Sequence, residues 1–343
     1  MGTRLNGKER NGKMNLTKTT NLIREKGMSK LMKSQNRSSI ITMKRRNLKK
    51  DLKRYGALYL MILPAVVAVS IFHYIPLYGV QIAFKDFRSS LGIMGSEWVG
   101  FKHFINFFNY PYFKNILWNT IWVSFLTLCT FPLPVIFAIM LNEIRNEKLK
   151  KTCQTITYAP HFVSTVVVCS MTIMFLNREG LINIILGFFG VEAIDFMSLP
   201  EAFAPIYAIT DVWKHLGWNT IIFMATLAGA SAELVEAAKL DGASRMEVIW
   251  HVYLPHLKPT IITMFILRMG QLLNVGFEKT FLLQNPLNME ASNVISTYVY
   301  EMGIMSHQFS YSTAIGLFNN LINVILILIA NQVSKKLADT SLF

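Results

Sequence analysis

No GxxxxGK[ST] occurs in the 343 residues, and the two Gly-Lys pairs, Gly7-Lys8 and Gly12-Lys13, are followed by Glu9 and Met14. A phosphate-cradling loop needs that glycine spacing with a lysine and a hydroxyl, so the chain is not expected to bind ATP itself. GxSxG and HExxH are also absent, and no paired carboxylates or Cys/His group stands at a spacing that supports catalysis. No catalytic residue and no metal ligand is assigned. Cysteine is scarce: Cys129, Cys153 and Cys169 have no CxxC spacing, which argues against a disulfide framework and a zinc site. His251 and His256 lie five apart across Pro255, which is not a ligand spacing. Residues 1–54 lack an apolar core segment with a small-residue cleavage site, so no signal peptide is expected.

What the chain has in excess is apolar length. Apolar residues make up 52% and charged residues 16%, a balance of membrane proteins rather than of soluble domains. The formal net charge of +14 is unevenly placed: residues 1–54 hold 17 of the 34 Lys and Arg against only Glu9, Glu25 and Asp51, and the rest of the chain is balanced. Aromatics do not interleave with these cations, so no nucleic-acid partner is expected. Residues 1–54 read as a basic tail held on the cytoplasmic side against anionic membrane lipid, with a plainly solvated tail as the alternative. Residues 55–343 form the expected membrane domain.

A membrane-crossing helix takes about 20 mostly apolar residues. Six stretches meet or approach that length, near 57–83, 117–141, 157–177, 203–228, 260–283 and 312–333, which predicts an all-α membrane protein with six transmembrane helices. Pro64, Pro76, Pro132 and Pro134 predict kinks. Residues 181–189 are too short to span and are expected along the outer surface. Arg145, Lys148, Lys150 and Lys151, then Lys239, Arg245 and Lys258, then Lys335 and Lys336 fall on the side of the basic tail, whereas the other side holds Lys85, Arg88, Lys102, Lys114 and Arg178, and 284–311 holds no Lys or Arg. That asymmetry puts both termini in the cytoplasm. The connection 85–115, with Trp98, Phe101, Phe107 and Phe108, reads as an interfacial helix in the headgroup layer or as a contact for an external partner.

The long polar insert with internal design is 231–259, SAELVEAAKLDGASRMEVIWHVYLPHLKP. Glu233, Glu236, Ala237, Ala238 and Lys239 are helix formers, with acids in the first turns where the helix dipole favours them. Gly242 stops that helix as a left-handed C-terminal glycine does. Ser244 with Glu247 reads as a capping box opening a second helix through Met246, Ile249, Trp250 and Tyr253, which Leu254-Pro255 is expected to close. The spaced pattern Glu236-Ala237-Ala238, Asp241-Gly242-Ala243 and Leu254-Pro255 resembles the cytoplasmic EAA loop of permease subunits of type I ABC importers. FHYIPLYGVQIAFKDF (72–87), WVGFKHF (98–104), TYAPHFVSTVV (157–167) and ISTYVY (295–300) resemble the oligosaccharide branch of that family, so the likeness runs over roughly residues 50 to 343. An amphipathic surface helix pair is the plainer reading of the loop.

The resemblance implies alternating access in a complex with a second homologous permease subunit, two ATPase subunits that bind ATP and Mg, and an external substrate-binding protein. It also implies that Glu233, Glu236, Ala237, Ala238, Asp241, Gly242, Ala243, Leu254 and Pro255 couple the chain to the ATPase.

Polar groups inside a bilayer are costly, so their positions carry information. Asp211, Lys214, His215, Trp218 and Asn219 fall at i, i+3, i+4, i+7 and i+8, one face of the fourth stretch. Arg268, Gln271, Asn274, Glu278 and Lys279 fall within an arc of roughly 140° on the fifth, and the sixth adds Asn319, Asn320 and Asn323. Amide and charged groups meet sugar hydroxyls, and flat rings such as Trp213 and Trp218 meet apolar sugar faces. Two readings stay open: a substrate pathway, or a helix–helix network with pairs such as Asp211 and Lys214.

The sequence thus points to a transmembrane permease subunit rather than an enzyme, serving ATP-driven import of carbohydrate, an oligosaccharide foremost, across the cytoplasmic membrane of a bacterium. The alternatives are a permease for an amino acid or ion, a secondary carrier using Asp211, Lys214 and Glu278, and a membrane scaffold or sensor. The inverted repeats of many carriers are not evident.

Overall fold

The computed structural model describes residues 48–338, with side chains from 55 to 336. Most of the basic tail, and the lipid contact expected of it, lies outside the described residues. The chain divides into two units, one ending at Leu77 and the other starting at Tyr78. The first unit holds helix α1, Leu48–Val69, with non-helical torsions at Tyr55 and Pro64 inside it. The helix widens into a π turn at Ser70–Tyr74 and resumes over Ile75–Leu77. That turn falls just ahead of Pro76, whose ring and missing N–H do not fit a regular i→i−4 ladder.

The second unit opens with a 3₁₀ segment, Tyr78–Phe84, and a minimal antiparallel pair, β1 Lys85–Asp86 with β2 Glu97–Trp98. Helices follow: α2 Lys102–Phe108, α3 Phe113–Cys129, α4 Pro132–Glu143, α5 Glu147–Tyr158, α6 Thr165–Leu176 and α7 Leu181–Phe188. Next come α8 Pro200–Leu227, α9 Ala232–Leu240, α10 Arg245–Val248, α11 Leu254–Met269, α12 Phe277–Leu283, α13 Ile295–Tyr300 and α14 Phe309–Ala338. The helix α8 is central to this unit and packs on α3, α4, α5 and α11.

Among the described residues four stretches are long and apolar enough to cross a membrane: Tyr55–Phe84, Phe113–Glu143, Thr165–Phe188 and Phe309–Lys336. The pair α8 and α9, bent by 77°, makes a fifth if counted as one. The count falls short of six because the stretch 260–283 is not one helix: α11 ends at Met269 and α12 begins at Phe277. The third stretch also starts later than expected. Its first residues complete the polar helix α5, which Asn146 caps through the N–H groups of Lys148 and Leu149, and the spanning part begins behind a second cap, Ser164. Leu181–Phe188 joins that span rather than standing apart.

Three apolar clusters fix the packing. One joins Val123, Cys169, Phe203, Tyr207 and Leu283. A second joins Val135, Ala138, Phe223 and Leu227 of the membrane helices to Val248, Tyr253 and Leu257 of the polar insert. The third gathers Phe107, Ile116, Ile295, Tyr298 and Ile315. Phe107 is therefore a core ring and not a headgroup anchor, while Trp98, Phe101 and Phe108 stay exposed.

Candidate functional site

At membrane depth, irregular backbone is tolerated only where protein or a water-filled cavity takes up its freed polar groups. The break at 270–276 meets that condition with side chains from two other helices. The Leu273 N–H donates to Asn323 Oδ1 at 3.0 Å, and the Gly276 N–H donates to the Tyr207 hydroxyl at 3.1 Å. Asn274 Oδ1 accepts from Asn319 Nδ2 at 3.0 Å and from Asn323 Nδ2 at 2.9 Å. Gly270 lies against Ile327, where an added Cβ would come within 2.8 Å of the side chain. Asn319 and Asn323 thus brace the break as buried groups, and Asn320 is exposed.

Two adjoining cavities open at this level, of about 220 and about 190 Å³, sharing Thr127, Asp211, Arg268 and Gln271. His215, Asn219 and Thr130 complete the polar wall of the first, and Ser124, Tyr207 and Asn274 that of the second. Arg268, Gln271 and Asn274 converge because the chain turns at the break, not because they share a continuous helical face. Sequence reasoning missed Ser124, Thr127 and Thr130, although hydroxyls at i, i+3 and i+6 mark a polar stripe along the second stretch. The Ser124 hydroxyl is buried with no hydrogen-bond partner among the described residues.

The charges pair differently from the sequence expectation. Lys279 donates to the Tyr207 carbonyl at 2.7 Å, sits 3.9 Å from the centre of the Tyr207 ring, and lies 3.5 Å from Asp211. Arg268 reaches Asp211 at 4.0 Å. Lys214 does not pair with Asp211; it donates to Thr165 Oγ1 at 2.8 Å. Trp218 lies flat on His161, with ring centres 4.3 Å apart, and the Nδ1 atoms of His161 and His215 are 3.2 Å apart. Trp213 lines a separate apolar cavity with Phe175, Ile182 and Ile209. Glu278 is exposed and lines neither polar cavity. Of the five residues placed on one face of α8, only Asp211, His215 and Asn219, at i, i+4 and i+8, share the polar wall. Packing of α5 and Ala159–Phe162 against α8 takes the flank where Lys214 and Trp218 stand.

Beyond the end of α8 the polar insert forms α9, a turn and α10. Ser231 caps α9 through the Leu234 N–H, and Gly242 takes φ +84° in the turn, a conformation that L side chains resist. The capping box is present: the Ser244 N–H donates to Glu247 Oε2 at 2.6 Å, and the Glu247 N–H donates to Ser244 Oγ at 3.4 Å. The Ser244 backbone N–H, with its hydroxyl, holds the Glu247 carboxyl below the usual carboxylate range.

Leu254-Pro255 does not close the second helix. A π turn at Ile249–Tyr253 carries α10 into α11, and the widened ladder accommodates Pro255 as the one at Ser70–Tyr74 does Pro76. Ala238, Ala243 and Leu254 are half-buried against the cluster that reaches α4 and α8. Glu233, Glu236, Ala237, Asp241, Gly242 and Pro255 are exposed, and so are the apolar Leu234, Leu240, Met246 and Trp250.

Residues 130–339, which contain the break and the insert, match the family described as binding-protein-dependent transport system inner membrane component. The chain is similar to the polygalacturonan/rhamnogalacturonan transport system permease protein YteP of Bacillus subtilis, with 43% identity over 302 residues, 88% of this chain and 94% of that protein. Protein LplB of Bacillus subtilis is 44% identical over 294 residues, 85% of this chain and 92% of that protein. A solved bacterial alginate ABC transporter, in complex with alginate pentasaccharide-bound periplasmic protein, has a chain of the same fold at TM-score 0.79 and 36% identity, covering 87% of this chain and 100% of that one. The chain belongs to the family of binding-protein-dependent transport system inner membrane components.

Proposed function

We propose that the chain is one of two permease subunits of an ATP-driven importer that moves an oligosaccharide inward across the cytoplasmic membrane by alternating access. The observation that carries this reading is the braced break at 270–276, which opens polar cavities inside an apolar bundle while the same helical run, α10 into α11, reaches out to an exposed loop. The names of the relatives support the cargo class, since they carry polygalacturonan/rhamnogalacturonan and alginate.

A second homologous permease would complete the pathway, and an external binding protein would deliver the saccharide. Two ATPase subunits would bind ATP and Mg, and each would hold a loop such as 231–259. Exposed Glu233 and Glu236, with Leu234, Leu240, Met246 and Trp250 around them, offer the docking ridge. Its movement would pass through Val248, Tyr253 and Leu257 to α4 and α8, because a close-packed cluster shifts as a body rather than deforming. In the cavities Asn219, Gln271 and the Asn274 amide would exchange hydrogen bonds with successive hydroxyls. Each is worth about 1 kcal/mol net, too little to arrest the cargo. Both termini would lie in the cytoplasm.

Affinity purification of the chain from its own host, with uptake assays in a deletion strain, tests the reading. A P-loop ATPase and a second permease should co-purify, and uptake of a labelled oligosaccharide should vanish on deletion and return with the wild-type gene. Uptake that continues without any ATPase points to a secondary carrier, and loss confined to an amino acid or an ion changes the cargo.

A further inference from the structure

We infer that Arg268 reads carboxylates in the pathway, so that the cargo is an acidic saccharide built of uronate units; this rests on the carbohydrate reading above. Asp211 and Arg268 line both cavities, and Lys279, which lines neither, reaches Asp211 at 3.5 Å. Lys279 is committed. Its side chain is 9% exposed, donates to the Tyr207 carbonyl, stands over the Tyr207 ring and pairs with Asp211. Among the described residues Asp211 is the only acid that lines either cavity, and Lys279 stands opposite it.

Arg268 is left over. Its side chain is 43% exposed, its contact with Asp211 is a loose 4.0 Å pair, and no hydrogen bond holds its guanidinium among the described residues. A guanidinium has five N–H donors in a fixed fork and stays charged at any working pH. It fits a carboxylate with two parallel hydrogen bonds, whereas a neutral hydroxyl gives one weaker bond. The other ionisable groups near this level are engaged elsewhere: Lys214 with Thr165, and His215 with His161. Asp211 thus has two cations within reach, Lys279 and Arg268, so the group of three carries one more cation than acid, and a partly desolvated cation favours an anionic ligand over a neutral one.

The position of Arg268 suits a moving cargo. It stands next to the residue that ends α11, and both cavities share it, so a carboxylate passing from one to the other stays within reach of one guanidinium. The next uronate along the chain can take its place as the first leaves. Gln271, also shared, is there for the hydroxyls between carboxylates.

The test uses the assembled importer, with its ATPase subunits and binding protein, in proteoliposomes. The probes are a galacturonate trisaccharide and its carboxyl-reduced, neutral counterpart. Wild type should import the acidic trisaccharide at least about tenfold faster than the neutral one, the factor one charge-assisted hydrogen bond supplies. Arg268→Gln should remove that advantage, and Arg268→Lys, which keeps the charge but not the two-pronged fit, should retain only part of it, with ATPase activity stimulated by loaded binding protein in both variants. The wild-type preference is read without any variant, so a misfolded Arg268→Gln does not shield the inference. Import of the neutral trisaccharide alone, or an undiminished acidic rate in Arg268→Gln, overturns the role of Arg268 and leaves the carbohydrate reading standing. Import of no saccharide, acidic or neutral, overturns both.

Discussion

Gly217 lies against the backbone carbonyl of Thr157 so closely that a single methyl group at residue 217 would overlap it. This contact sets α8 against the end of α5 and so decides which flank of α8 is left for the cavities. Gly217→Ala is expected to destabilise the folded chain by about 1–3 kcal/mol, the range for overpacking a tight contact. Gly187→Ala, which meets nothing within 4 Å, is the matched control and should be neutral. Thermal unfolding midpoints of the detergent-solubilised variants measure the difference, and equal midpoints would remove this contact from the account.

The turn between α9 and α10 supplies a second prediction. At φ +84° an L residue costs about 1–2 kcal/mol, and a β-branched one is worse placed still. Gly242→Val should leave membrane insertion intact while uptake and co-purification of the ATPase fall. Glu236→Lys, a charge reversal on the exposed side of α9, should weaken ATPase capture with the turn unchanged. Normal uptake in both variants takes the loop out of the mechanism.

The capping box should make the start of α10 sensitive to acid. Because the Ser244 N–H and hydroxyl lower the Glu247 carboxyl from its ordinary 4.5, the box stabilises the helix start above that pH and loses its contribution as pH falls through the lowered value. Amide exchange over 244–248, corrected for intrinsic rates, should lose protection below about pH 4.5 in wild type. Glu247→Gln should show no such step. An identical acid step in the variant would assign it to another group.

Orientation can be read with two exposed reporters in a background lacking Cys129, Cys153 and Cys169. Leu240 in α9 is 89% exposed and Leu287 is 66% exposed. In intact cells an impermeant thiol reagent should label Leu287→Cys and spare Leu240→Cys. The reverse pattern would invert the topology.

The parts of this fold that were legible in the sequence are those whose causes are local. Apolar length marked the spans, Gly242 marked a left-handed turn, and Ser244 with Glu247 marked a cap, because each depends on residues within a few positions. The break in the fifth stretch was not legible. Gly270 and Gly276 permit it, but what stabilises it is Tyr207, Asn319 and Asn323, distant in sequence. Leu254-Pro255 misled for a related reason: a proline ends a regular α-helix, and a π turn one step earlier cancels that effect. Asp211 and Lys214 share a helical wheel, yet which of them meets the cavity is decided by α5 and Ala159–Phe162, which a wheel does not contain.

The central claim, that cargo passes through the cavities at the break, is tested most directly by blocking them chemically. Gln271 is exposed in this chain and lines both cavities. In the assembled importer without Cys129, Cys153 and Cys169, Gln271→Cys should import its saccharide until a bulky thiol reagent modifies it. Import should then stop while the ATPase subunits stay bound, and saturating saccharide should slow the modification. Complete modification of Gln271→Cys with an unchanged import rate would contradict the account and place the pathway elsewhere.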